Sequence, residues 1–162
     1  MLDYPGNVSI CGSTMSGKTH LMRRIIREDL LKIMNYIIIC SPTLELSDDW
    51  EEFKETMPDY EPQPGQPAIR KFRDKFKAVV SEVVNDQESL KMSKYVEKKD
   101  VPQVAIILDD MVGNNLLAFK GYIDKLSTKS RHLNISIFIL AQRITAIPRT
   151  FRLNSKYTIC FN

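Results

Sequence analysis

Apolar residues crowd into five short runs. Tyr36–Cys40 and Val104–Leu108 are apolar throughout, Ile135–Leu140 nearly so, and Asn7–Cys11 and Tyr157–Phe161 are more mixed. Unbroken apolar runs of this length mark strands covered on both faces, as in a parallel sheet. Between them the spacing changes to a helical period. Leu21, Met22, Ile25, Ile26 and Leu30 form one stripe, with Arg23, Arg24, Arg27 and Glu28 opposite, so a helix is expected from about Gly17 to Leu31, ending by Asn35. Trp50, Phe53 and Met57 fit a short helix capped by Ser47 or Asp48. Ile69, Phe72, Phe76, Val79, Val80 and Val83 fit a second, and Leu116, Phe119, Tyr122, Ile123 and Leu126 a third. Residues 86–98 are polar enough to hold only a marginal helix. Four prolines between Pro58 and Pro67 exclude helix and central strand, and Pro148 and Asn154 punctuate a late loop. Strands alternating with helices predict an α/β fold with a mostly parallel, five-stranded sheet. At 162 residues the chain is expected to form a single domain, 1–162, with 44–67 as a possible acidic, proline-rich insertion.

Composition narrows the class only slightly. Hydrophobic residues make up 43% and charged residues 27%, an ordinary globular mixture. No apolar run approaches the ~20 residues of a membrane span, and the N-terminus lacks the layout of a secretion signal. Cys11, Cys40 and Cys160 each close an apolar run and have no metal-ligand spacing, so all three are expected to be small buried residues in a reducing compartment. Charge is divided unevenly: residues 1–110 carry a net −4 and residues 111–162 a net +7, with Asp124 the single acid of the second part. That asymmetry fits a plain solvated surface as well as an edge facing a polyanion.

The chemistry sits at the ends of two runs. Gly12-Ser13-Thr14-Met15-Ser16-Gly17-Lys18-Thr19 has the spacing of a phosphate-binding loop, and it lies between a predicted strand and a predicted helix, as that loop requires. Glycines permit positive φ and close approach to an anion, while the loop N–H groups and the helix start supply positive potential. Lys18 is expected on the β- and γ-phosphates of ATP and the Thr19 hydroxyl on Mg²⁺. The run Val104–Leu108 delivers Asp109 and Asp110 to the other end of the sheet's mouth. Asp109 is expected to hold Mg²⁺ with Thr19, and Asp110 either to polarise the attacking water or to cap the next segment. Gln142, after the Ile135–Leu140 run, is either a γ-phosphate contact or an ordinary polar strand end. Arg131, Arg143, Arg149 and Arg152 are candidates to stabilise transition-state charge from a neighbouring subunit, Arg131 first among them. His20 and His132 read as surface or structural residues.

Three stretches together resemble a known group. The loop Gly12–Thr19, the strand end Ile106-Ile107-Leu108-Asp109-Asp110, and the block from Ser130-Arg131-His132 to Leu140-Ala141-Gln142 are similar to the genome-packaging ATPases of poxviruses and other large DNA viruses, within the FtsK–HerA group. Ile147-Pro148 and Arg152-Leu153-Asn154 resemble that group's final loop. The resemblance implies a three-layer P-loop NTPase sandwich with sheet order 5-1-4-3-2. It implies Mg-ATP hydrolysis that drives double-stranded DNA into a capsid, a homo-oligomeric ring, and a capsid or portal-like partner. It also implies a place in the host-cell cytoplasm, in the virus factory, with the virion as a second location. By the same resemblance Lys18 and Thr19 take phosphate and metal, Asp109 magnesium, Asp110 the water-polarising role usually given to glutamate, and Gln142 the sensing role. The group's chains often continue past the fifth strand, which leaves a DNA-binding or capsid-docking part outside residues 1–162 or makes this a minimal form. Two rivals share the loop: a kinase phosphorylating a small acceptor, and a nucleotide-dependent assembly protein with weak hydrolysis. The absence of an Asn-Lys-x-Asp element argues against a GTPase.

Overall fold

A computed structural model of the chain describes residues 2–56, 59–110 and 114–162, with the side chains of 114–120 outside the described set. Its centre is an all-parallel sheet of six strands in the order β3-β2-β4-β5-β1-β6. These are β1 (Asn7–Cys11), β2 (Tyr36–Cys40), β3 (Ala68–Phe72), β4 (Val104–Leu108), β5 (Ile135–Ala141) and β6 (Ser155–Cys160). The helices are α1 (Lys18–Ile25), α2 (Leu31–Ile33), α3 (Phe76–Met92), α4 (Asn114–Lys129) and α5 (Arg149–Leu153). A π-helical turn, Ile26–Leu30, joins α1 to α2.

The period-2 geometry of a strand divides each apolar run between two cores. Ile37, Ile39, Ile107, Phe138 and Leu140 pack under α1, with Met22, Ile26 and Leu30. Ile38, Ile106, Leu108, Ile137 and Ile139 face α3, α4 and α5, with Val80, Leu126 and Phe151. This double burial is why β2 and β4 read as unbroken apolar runs, and β5 as one interrupted only by Ser136. β6, at the edge, alternates half-buried and exposed positions.

The sheet departs from the expected five strands by an added edge strand. Ile69 and Phe72, expected on a helix, belong to β3. Ile37 pairs with Ile69 and Cys40 with Phe72, and this long-range pairing overrides a helical spacing that runs on into Phe76 by coincidence. The helix starts at Phe76 instead and continues to Met92, so most of the polar 86–98 stretch is the second half of α3 rather than a separate marginal element. Buried Gln87 explains its tolerance: its side-chain amide donates to the Pro102 and Leu133 carbonyls. The short helix expected from Ser47 reduces to a 3-10 turn, Asp48–Trp50, although Trp50 and Phe53 are both buried. Met57 lies outside the described residues. The loop expected around Pro148–Asn154 contains α5, because proline fits a helix start, where no N–H is needed. α4 covers the third predicted helix, although Leu116 and Phe119 have side chains outside the described set. Cys11 and Cys40 are buried, but Cys160 is exposed, because β6 has one open face; all three are free thiols. No helix among the described residues is long and apolar enough to cross a membrane.

Candidate nucleotide site

Parallel strands present all their C-terminal ends at one rim, where ligands bind in open α/β sheets. Here β1 ends in Gly12–Thr19, β4 in Asp109 and Asp110, and β5 in Gln142. The register pairs Cys11 with Ala141 and Leu108 with Ile139, so Gln142, directly after β5, stands between the loop and the acids. A cavity of about 530 Å³ opens at this rim, lined by Lys18, Thr19, Asp49, Asp109, Asp110 and Gln142 among others.

The loop side is built from backbone. Gly17 has φ +97° and Met15 φ 62°, with the Met15 side chain thrown outward, 97% exposed. A Cβ on Gly12 would meet Ser16 Oγ at 2.6 Å and Phe161 Cβ at 2.7 Å, so only glycine fits. Lys18 Nζ donates to the Gly12 and Ser13 carbonyls at 2.8 and 2.7 Å, folded over its own loop. Ser16 Oγ is buried with no hydrogen-bond partner. An orphaned hydroxyl, a positive-φ glycine at the helix start and a lysine are the features that fit a phosphate chain.

The acid side is built from side chains. Asp109 is 6% exposed, and its backbone N–H donates to the Cys40 carbonyl at 2.9 Å, continuing the β2–β4 ladder. Its Oδ2 accepts a hydrogen bond from the indole N–H of Trp50 at 3.0 Å. Burial pushes the Asp109 carboxyl up to about 6; Trp50 opposes this, Asp110 and Asp49 add to it, and Lys18 opposes it. Asp110 holds a left-handed backbone, φ 50°, a conformation of stored strain that aspartate tolerates better than most residues. Carboxylate and hydroxyl oxygens suit a hard cation. No group of three or more His, Cys, Asp or Glu side chains among the described residues is arranged to hold a metal. Mg²⁺ keeps several waters and takes one or two carboxylates plus phosphate oxygens, a donor set that Asp109 and the Thr19 hydroxyl can supply in part.

The structure therefore brings Thr14–Thr19, Asp109, Asp110 and Gln142 to one cavity, with Gly12 and Ser13 leading into it from β1. Arg131 is not there. It is exposed in the Ser130–Leu133 turn that leads into β5, at the opposite rim. Arg149 and Arg152 lie on α5, just before β6 begins, and Arg152 Nε donates to the Ile147 carbonyl. Arg143, exposed and directly after Gln142, is the arginine of the four nearest the cavity in sequence. His20 is exposed on the cavity wall, and His132 accompanies Arg131. Sequence reasoning missed the contribution of the acidic stretch. Thr43, Leu46, Ser47 and Asp49 line the cavity, and Trp50 holds Asp109. The available signal was the chain's single tryptophan set among acids.

The family model described as "Poxvirus A32 protein" matches residues 1–162. The chain belongs to that family. Among solved structures, it is similar to the genome packaging NTPase B204 of Sulfolobus turreted icosahedral virus 2, bound to sulfate: 20% identity, TM-score 0.62, covering 99% of this chain and 75% of that one. It is also similar to EssC (ATPases 2 and 3) from Geobacillus thermodenitrificans, with 17% identity and TM-score 0.65 over 95% of this chain and 32% of the other. The pCW3 conjugation coupling protein TcpA, solved with ATPγS, matches at 17% identity and TM-score 0.65, over 96% of this chain and 48% of TcpA. The A32-family chain thus spans about a third of EssC and about half of TcpA. At such identities the likeness establishes the fold, that of P-loop ATPases. A search of curated protein sequences found no match.

Proposed function

We propose that this A32-family chain is a Mg-ATP hydrolase that drives viral double-stranded DNA into a capsid. The observation that supports it most is one cavity shared by the β1 loop, the β4 acids and Gln142. In this reading Lys18 leaves the Gly12 and Ser13 carbonyls and takes the β- and γ-phosphate oxygens. The Ser16 hydroxyl and the loop N–H groups receive the phosphate chain. Thr19 and Asp109 hold Mg²⁺, which neutralises phosphate charge when bound. Asp110 orients and polarises the attacking water, and Gln142, between loop and acids, reads the γ-phosphate. Family membership and the packaging NTPase named among the structural neighbours support the DNA role.

The exposed lysines and arginines of the basic 111–162 portion are the proposed DNA-following surface. Lys125, Arg131, Arg143 and Arg149 are all exposed. Binding to duplex DNA should weaken steeply with salt if these groups replace counterions. A ring of subunits is proposed to complete the site with an arginine from a neighbour. Arg131, on the opposite rim, can serve only across subunits, while Arg143 sits beside its own cavity.

The test is phosphate release from ATP with water as the acceptor, with and without duplex DNA. The wild-type chain should release phosphate, faster with duplex DNA, and Lys18→Ala should reduce the rate by on the order of 10²–10³-fold. Phosphate transfer to an added nucleoside would instead indicate a kinase. Specific activity that stays constant over a wide dilution series would count against the neighbour's arginine.

A further inference from the structure

We propose that Trp50 is a positioning residue for Asp109, so that the acidic segment around it sets the geometry of the metal side of the site. This rests on the functional reading above and deepens it. Three observations carry it. First, the indole is 1% exposed and donates to Asp109 Oδ2 at 3.0 Å, which leaves Oδ1 as the carboxylate oxygen available to a cation. A buried indole N–H needs an acceptor, and here that acceptor is the carboxylate at the mouth of β4 rather than a carbonyl of the surrounding core.

Second, the segment that carries Trp50 is fastened from two sides. Glu52 bridges Arg23, through Nε, and Arg27, through Nη1 at 2.9 Å, both on the α1 side of the fold. On the other side Lys71 Nζ donates to the Trp50 carbonyl at 3.4 Å, and Thr56 exchanges hydrogen bonds with Ile69 of β3. The indole is therefore held by its own framework rather than by Asp109, as a positioning group must be. Third, Leu46, Ser47 and Asp49, just before Trp50, line the nucleotide cavity themselves. A cation that draws on Asp109 beside this wall changes the indole's bond.

Trp50 is the only tryptophan in the chain, so its emission reports this contact alone. Mg²⁺ titrated into wild-type protein holding ADP should change the intensity or wavelength of that emission, and ADP in the presence of EDTA should leave it nearly unchanged. Trp50→Phe keeps the ring and removes the donor. It should raise the Mg²⁺ concentration needed for half-maximal binding of a fluorescent ADP analogue by roughly tenfold or more, as expected for one hydrogen bond to a charged group. Affinity for the same analogue without Mg²⁺ should stay within about twofold. Phe53→Leu is the packing control: the Phe53 ring lies 6.3 Å from the indole, centroid to centroid, so this change should lower stability and leave the Mg²⁺ midpoint in place. If Trp50→Phe fails to fold, the wild-type emission titration decides. Emission blind to Mg²⁺ while ADP binds, or an unmoved midpoint in Trp50→Phe, overturns the positioning role and leaves the functional reading standing. A wild-type chain that binds no nucleotide at all defeats both.

Discussion

The two sides of the cavity are made in different ways. The β1 side is eight consecutive residues whose peptide groups and missing side chains do the work. Its shape depends on what is absent: no Cβ at Gly12, none at Gly17. The β4 side depends on what is present. One buried carboxylate, Asp109, is set by an indole 59 positions away, inside a segment anchored to α1 and β3. A backbone site tolerates little change at its glycines and is indifferent to distant packing. A side-chain site can be tuned from afar, and the cost is a buried acid that is unfavourable until something binds it.

The sharpest way to break the first side is steric. Gly12→Ala forces a methyl group against Ser16 Oγ and Phe161 Cβ. Equilibrium binding of ATP should weaken by on the order of 10²-fold, since sub-ångström shifts of the cup misplace every donor together. Binding within a few-fold of wild type would show that the loop can relax, and the contrast between the two sides would lose its basis.

The second side should show its cost as a pH effect. Asp109 is raised from 3.8 to about 6, chiefly by burial. Between those values the folded, ligand-free protein keeps a proton that the unfolded chain has released. The stability this group contributes is therefore complete below the lower value and is lost as pH rises through the upper one. Asp109→Asn removes the ionisation while keeping an acceptor for Trp50. At pH 7.5 and without ligand it should be more stable than wild type by on the order of 1–3 kcal/mol, and the gain should vanish near pH 4. Urea unfolding at the two pH values measures both. An equal or negative difference at pH 7.5 would mean that the buried carboxylate is not under strain.

The smallest effect should come from the anchor. Burial works against the Glu52 carboxylate, but its hydrogen bond to Arg23 and the charges of Arg23 and Arg27 hold it below its ordinary pKa. Both arginines are partly exposed, so solvent screens the contact. Glu52→Gln should raise the Mg²⁺ midpoint by no more than about two- to threefold. A larger shift would make the acidic segment's grip on α1 the main determinant of Asp109 geometry.

The same division explains what could be read before the fold was known. The loop is legible because its chemistry is contiguous, and its spacing alone implies a strand before it and a helix after. Asp109 and Asp110 are legible because an apolar run must end at a sheet rim, and polar residues there face the ligand. β2, β4 and β5 are legible because double burial leaves almost no polar position, Ser136 being the exception. Trp50 is not, since its partner lies 59 positions away at the end of β4 and its spacing to Phe53 imitates a helix face. β3 hid for a related reason: five residues that find their pairing only with β2, in a phase that mimics the helix after them. Arg131 shows the limit from the other direction. A sequence block places it in the chain, but only the sheet direction shows that it faces away from its own cavity.

The claim on which the rest depends is that the β1 loop and the β4 acids serve one reaction. It is tested most directly by phosphate release from saturating ATP as Mg²⁺ is raised, in wild type and in Asp109→Asn, with nucleotide binding measured in the same samples. The account predicts that wild type reaches a Mg²⁺-dependent plateau, while Asp109→Asn still binds ATP through the intact loop and releases phosphate at least on the order of 10²-fold more slowly. Equal plateaus in the two proteins would contradict it.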